Sequence, residues 1–130
     1  MSGLNNCKIL KIVGGTYRKE YWDAMWDRCE AWGYDLTKPE FVCDAWLVRE
    51  PDNEHDENAI RVEVRFSRVR VTRQGPRKEQ RTYHLGYIPG EASAPIAEHL
   101  DRRGDAELKA PARLVTKRRS GHVLYCRNPY

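Results

Sequence analysis

The stretch WLVREPDNEHDENAIRVEV, Trp46 to Val64, holds the residues of the chain best suited to chemistry. Its middle, EPDNEHDEN, crowds carboxylates, amides and one imidazole between two segments that read as strands. Three chemistries fit such a loop. Oxygen ligands recur at alternate positions (Asp52, Glu54, Asp56, Asn58), with Glu63 where a helix-flanked calcium loop has its last ligand. Glu57, however, stands where that loop requires glycine, and the flanks are not helical. Asp52, His55 and Asp56 could hold a catalytic metal for a phosphodiesterase, since imidazole and carboxylate ligate such ions. No second His–carboxylate cluster supports that site: His84 reads as a strand residue and His99 as a helix residue, both facing solvent. The third reading is architectural. Asp and Asn side chains bond nearby backbone N–H groups and build turns, which suits Asn53 and Asn58.

The elements that must position this loop are mostly strands. CKILKIV reads as a first strand, Cys7 to Val13, closed by Gly14-Gly15, with Thr16 as the cap of a helix. Trp22, Met25, Trp26, Cys29 and Trp32 then lie on one apolar helical face, which Gly33 ends. FVCDAWLVRE is a second strand, broken at Pro51. In AIRVEVRF, Ile60, Val62, Val64 and Phe66 alternate, but Val69 and Val71 take the opposite phase, which predicts a bulge or short turn near Ser67-Arg68. RQGPRKEQR reads as a loop, and RTYHLGYIP as a strand with Tyr83, Leu85 and Tyr87 on one face. A second helix starts near Ser93, buries Ile96, Ala97 and Leu100, and stops at Gly104. AELKAPARLVTK and HVLYCRN form a last hairpin around Ser120-Gly121. The expected fold is mostly β with two helices, a small OB-like, partly open β-barrel.

With 130 residues, 40% of them hydrophobic and 32% charged, the chain suits a single folded domain over residues 1–130. No apolar run is long enough to cross a bilayer, and the N-terminus lacks the pattern of a secretory leader, so a cytoplasmic protein with no membrane partner is expected. Cys7, Cys29, Cys43 and Cys126 have neither zinc-knuckle nor CxxC spacing and read as reduced core thiols. The net charge of +4 hides an asymmetry. Residues 1–64 carry 8 Lys or Arg against 13 Asp or Glu, and residues 65–130 carry 15 against 6. The second half suits a polyanion. Its densest run holds Arg65, Arg68, Arg70, Arg73, Arg77, Lys78 and Arg81, with Glu79 the one acid among them; Lys117, Arg118 and Arg119 follow near the last turn.

Two segments in order carry a family resemblance. REPDNEHDENAIRVEV, with Pro51, Asn53, His55, Asp56, Asn58 and Ala59, and HLGYIPGEASAPIAEHLD, with Gly86, Tyr87, Ile88 and Pro89, resemble the HIRAN domain. KIVGGTYR fits the family's opening, so the likeness runs over about residues 8–116. Glu54 stands where the family loop has proline, and the basic stretch from Arg65 to Arg81 is longer than the family pattern.

The resemblance implies an OB-like, non-catalytic module that recognises single-stranded DNA, particularly its 3′-hydroxyl end, at damaged or stalled replication sites. No cofactor is implied, and a helicase or nuclease partner is. The chain has no GxxxxGK[ST] loop and so is not itself the motor. Carried over position by position, the DNA-binding residues are Thr16, Tyr17, Asn53, His55 and Asp56, joined by Arg18 and Arg49 as cations suited to phosphates and by Arg68, Arg70 and Arg73 from the basic stretch. His55 or Tyr17 would stack on a base, the arginines would hold phosphates, and Asp56 would accept the 3′-hydroxyl proton. A protein-docking module using an exposed edge strand is the remaining alternative.

Overall fold

The computed structural model describes residues 9–13, 18–115 and 123–127. In chain order these form β1 (Ile9–Val13), α1 (Lys19–Ala31), β2 (Glu40–Arg49), β3 (Ile60–Thr72), β4 (Gly75–Tyr87), α2 (Gly90–Arg103), β5 (Glu107–Val115) and β6 (Val123–Arg127). All strand pairs are antiparallel, and the strand order is β1-β6-β5-β2-β3-β4. The sheet curls without closing. Its two edges approach where Gly86 of β4 faces Ile12 of β1, so closely that a Cβ on Gly86 would lie 3.0 Å from Ile12 Cγ2. The fold is the small OB-like, partly open barrel expected from the sequence.

Alternation explains the inner face. Ile60, Val62, Val64 and Phe66 of β3 point inward with Ala45 and Leu47 of β2, Ala110, Ala112 and Leu114 of β5, and Leu124 and Cys126 of β6. The helices pack into the same core. Trp22, Met25, Trp26 and Cys29 of α1 lie one above another at helical spacing and are fully buried, as are Ile96, Ala97 and Leu100 of α2. The Trp22 indole N–H donates to the Leu85 carbonyl at 2.9 Å, tying α1 to β4. Gly33 (φ +80°) and Gly104 (φ +69°) end the two helices in the left-handed region, where a side chain would be strained. Burial raises the thiols of Cys29 and Cys126 to about 11 and that of Cys43 to about 12; no disulfide joins them. Cys7, Thr16, Tyr17, Lys117 to Arg119 and the Ser120-Gly121 turn lie outside the described residues.

Several sequence expectations are corrected. The irregularity in the β3–β4 ladder falls between Val62 and Glu63, not at Ser67-Arg68. Val62 pairs with Gly86 and Glu63 with His84, leaving Leu85 as the extra residue. Beyond it the register runs unbroken to Thr72↔Gly75. Val69 and Val71 change phase because the hairpin leaves the barrel there: they are 68% and 83% exposed, so no buried face constrains them. RQGPRKEQR is mostly strand, with Arg73-Gln74 alone forming the turn and Gly75 at φ +108°. The bulge also removes Tyr87 from the face of Tyr83 and Leu85; those two are buried and Tyr87 is exposed. Finally, α1 has Arg18 rather than Thr16 at its cap position, and α2 begins at Gly90, with Ser93 buried one turn in and its hydroxyl donating to the Gly90 carbonyl.

Candidate nucleic-acid interface

The acidic loop is built by its own amides and carboxylates. The Glu50 N–H donates to the Ala59 carbonyl at 3.0 Å, closing the loop at its neck. Asn53 Oδ1 accepts the backbone N–H groups of His55 (2.8 Å) and Asp56 (3.0 Å), and Asp56 Oδ1 accepts that of Asn58 (2.8 Å). Asn53 and Asp56 therefore set the turn. The second oxygen of Asp56 has no protein hydrogen bond among the described residues, and the exposed His55 ring has none either. Arg49 fastens the loop to α2. Its guanidinium meets Asp101 in a two-bond fork (3.1 and 3.2 Å) and also donates to the Glu57 carbonyl. With only 9% of its side chain exposed, Arg49 is occupied by the protein.

Facing the loop is the end of β4 and the start of α2. Leu85, Gly86, Tyr87, Ile88 and Gly90, with Arg18, Asn53, His55, Asp56 and Ala59, line a cleft of about 770 Å³. The bulge at Leu85 aims this wall, and the Ile88 N–H bond to the Ile60 carbonyl (3.0 Å) holds the chain as it leaves the sheet. Tyr87 links this wall to an aromatic cluster beside it. His84 meets Tyr87 edge to face at 4.9 Å, Tyr21 lies 6.5 Å from His84, and the Arg18 guanidinium sits 5.3 Å from the Tyr21 ring and 5.8 Å from that of Tyr87. His84, expected to face solvent, is half-buried instead. Burial first, then the nearby Arg18 charge, push its pKa down to about 4, so it is neutral at pH 7, with Nε2–H donating to the Gly86 carbonyl at 3.1 Å.

Behind the cleft, Glu50 collects three donors: Asn53 Nδ2 (3.0 Å), the Tyr87 hydroxyl (3.0 Å) and Arg61 Nη1 (3.0 Å). Burial opposes its ionisation, but the hydrogen bonds from Asn53, Tyr87 and Arg61 outweigh it and hold the carboxyl below its ordinary range. The chain of charges continues along the outer face of β3. Arg61 meets Glu63 at 2.6 Å; Arg65 meets Glu63 at 3.1 Å and Glu107 at 2.8 Å, and lies 4.7 Å over the Trp46 ring. Arg65 is thus neutralised by two acids, of which Glu107 lies 42 residues away and is not revealed by its local sequence.

The ten sequence-derived candidates divide. Arg18, Asn53, His55 and Asp56 come together in the cleft, Arg49 braces it from behind, and Thr16 and Tyr17 fall outside the described residues. Arg68, Arg70 and Arg73 sit at the far end of β3 and its turn. That strand has 13 residues, about 40 Å at ~3.3 Å per residue. Sequence reasoning missed Glu50, His84, Tyr21 and Tyr87. The signal was there for Tyr87, inside GYIP, but its side chain was assigned to the sheet. Among the described residues no three His, Cys, Asp or Glu side chains converge as a metal site, those of Asp52, His55 and Asp56 included.

The HIRAN domain family matches residues 43–121, more than half of the chain, and the protein belongs to that family. The match begins in β2 and takes in the acidic loop, the long hairpin, the cleft wall and α2. HIRAN domains are DNA-binding modules. No curated protein and no solved structure matches the chain. Among the described residues no helix is long and apolar enough to cross a membrane.

Proposed function

We propose that the protein captures single-stranded DNA by its 3′ end, seating the terminal nucleotide in the cleft between the 53–59 loop and the 85–90 segment. The observation that carries this reading is the set of groups meeting there. Arg18 offers a cation for a phosphate, Tyr87 and His55 offer faces for a base, and Asp56 offers a carboxylate oxygen with no protein hydrogen bond among the described residues. An ionised carboxylate accepts and cannot donate. It would take the proton of a 3′ hydroxyl and repel a 3′ phosphate. Thr16 and Tyr17, which directly precede Arg18 in sequence, would join the DNA-binding set. Arg49 and Asn53 act by positioning, holding the loop on α2 and shaping its turn. Binding of this kind needs no catalytic group. It suits a module that hands DNA ends to a helicase or nuclease during repair or replication stress.

Fluorescence anisotropy with a labelled oligonucleotide tests the reading, comparing a 3′ hydroxyl, a 3′ phosphate and a blunt duplex at two salt concentrations. The 3′ hydroxyl should bind most tightly. Asp56→Asn, which keeps an oxygen acceptor for the Asn58 N–H, should erase the preference over the 3′ phosphate while leaving the weaker 3′-phosphate binding intact or improved. Equal loss on both ends would refute the acceptor role. Tyr87→Ala should cost about 1–3 kcal/mol of affinity if the ring carries a stacked base.

A further inference from the structure

Beyond Phe66 the β3–β4 hairpin leaves the barrel, and no residue is buried again until Tyr83. Cross-strand partners share a face, so the register Phe66↔Arg81, Arg68↔Glu79 and Arg70↔Arg77 puts four arginines and one acid on one side of the ribbon. The other side carries Val69, Val71, Pro76 and Lys78. Glu79 is shared at 3.4 Å by Arg68 and 3.5 Å by Arg70, and Arg68 also lies 4.9 Å over Trp32. Among the described residues Arg77 donates only to Gln74 and Arg81 only to the Gln80 carbonyl, while Arg73 occupies the turn itself. The arm therefore presents more positive charge than it neutralises.

We propose that this arm is a second nucleic-acid site that grips duplex DNA through its arginine face. Charge complementarity points to a polyanion. The composition then distinguishes its forms. A single-strand surface relies on aromatic rings for stacking, and residues 67–80 contain no Phe, Tyr or Trp. A two-stranded antiparallel ribbon, by contrast, is the size that enters the major groove of B-DNA. The Val69–Val71 side has Lys78 as its one cation between Ser67 and Gln80, so the arginine side is the one that faces phosphates. The contact itself does not need a 3′ end, but its spacing from the cleft, which rests on the end-binding reading, defines a substrate. Tyr87 at the cleft pairs with Arg61, and the arm's arginines run from Arg68 to the Arg73 turn; at ~3.3 Å per residue and ~3.4 Å per base pair that is roughly 7 to 12 base pairs, so one chain would hold a 3′ terminus and the duplex up to about one helical turn away.

The test separates the two sites. The first probe is a duplex of about 20 base pairs closed by loops at both ends, which has no 3′ terminus. The second is a four-nucleotide strand with a 3′ hydroxyl, too short to reach the arm. Replacing Arg70, Arg73, Arg77 and Arg81 together by Gln should weaken binding to the closed duplex at least tenfold. It should also make the slope of log K against log salt shallower by about 3 to 4. The same four positions as Lys should retain most of the binding, and both variants should melt like the parent because no buried residue is touched. Tetranucleotide binding should not change. Failure of the parent to bind the closed duplex, or undiminished binding by the Gln variant, would overturn the arm. Duplex binding that stands while the tetranucleotide shows no 3′-hydroxyl preference would remove the end-binding reading alone.

Discussion

Truncating Trp22 to alanine should destabilise the chain by about 3–5 kcal/mol, the usual cost of emptying a large aromatic site. That is a large share of the roughly 5–15 kcal/mol that holds a domain of this size together. Trp22 is fully buried, and its indole N–H bonds the carbonyl of the extra residue in β4, Leu85. Trp22→Phe is the more informative change. It keeps most of the apolar volume but leaves the Leu85 carbonyl without its partner, which should cost about 1–3 kcal/mol. The bulge at Leu85 is what aims His84, Gly86 and Tyr87, so this variant should also bind DNA ends more weakly although no cleft residue has changed. Leu114→Ala, a core truncation on β5, should lose stability by about 2–5 kcal/mol yet keep end affinity in its folded fraction. Denaturant melts paired with anisotropy would decide the matter. Undiminished end binding by Trp22→Phe would show that the bulge does not need its helix partner.

The second large effect is a dependence of stability on pH with two stages. His84 has an ordinary value of 6.5 and a value of about 4 in the fold. Below pH 6.5 the unfolded chain takes up this proton first, so stability falls as the pH drops from 6.5 towards 4. Glu50 adds a second stage. Its carboxyl ionises below the ordinary 4.5 in the fold, so its stabilisation is complete above pH 4.5 and is lost as the pH falls through the folded value. Melting temperature measured across this range should show both. His84→Phe should flatten the upper stage and Glu50→Gln the lower one. At pH 7, Glu50→Gln should cost about 2 kcal/mol, because Arg61, Asn53 and Tyr87 lose a charged acceptor. An acid limb that persists unchanged in Glu50→Gln would place the titrating carboxyl elsewhere.

Periodicity made the inner surface of the barrel readable in advance. Ile60 to Phe66 alternate, and Trp22, Met25, Trp26 and Cys29 repeat at helical spacing, so each pattern named both its element and its buried face. The hairpin was misread for the same reason. A bulge was expected where the alternation failed at Val69, but alternation records burial, and an arm in solvent has none to record. The true bulge, at Leu85, left no local trace because β4 alternates through it in sequence; only the pairing reveals the extra residue. The loop half of the cleft was visible as a motif. The aromatic half was not, since Tyr21 of α1 joins His84 and Tyr87 of β4 only when α1 packs on β4. Arg49 shows the limit of counting charges. From sequence it is one more cation beside a loop, and its partner Asp101 lies 52 residues away.

The arm also has a geometry that can be tuned. Nothing between Phe66 and Tyr83 contributes to the interior, so its length can change without disturbing folding. Adding one residue to each strand would invert which side the outermost arginines occupy, whereas adding two would restore it. Its usable lengths are therefore quantised in steps of about 6.6 Å, close to two base pairs of DNA. A set of chains differing only in hairpin length would act as a molecular ruler, each preferring its own distance between strand terminus and duplex.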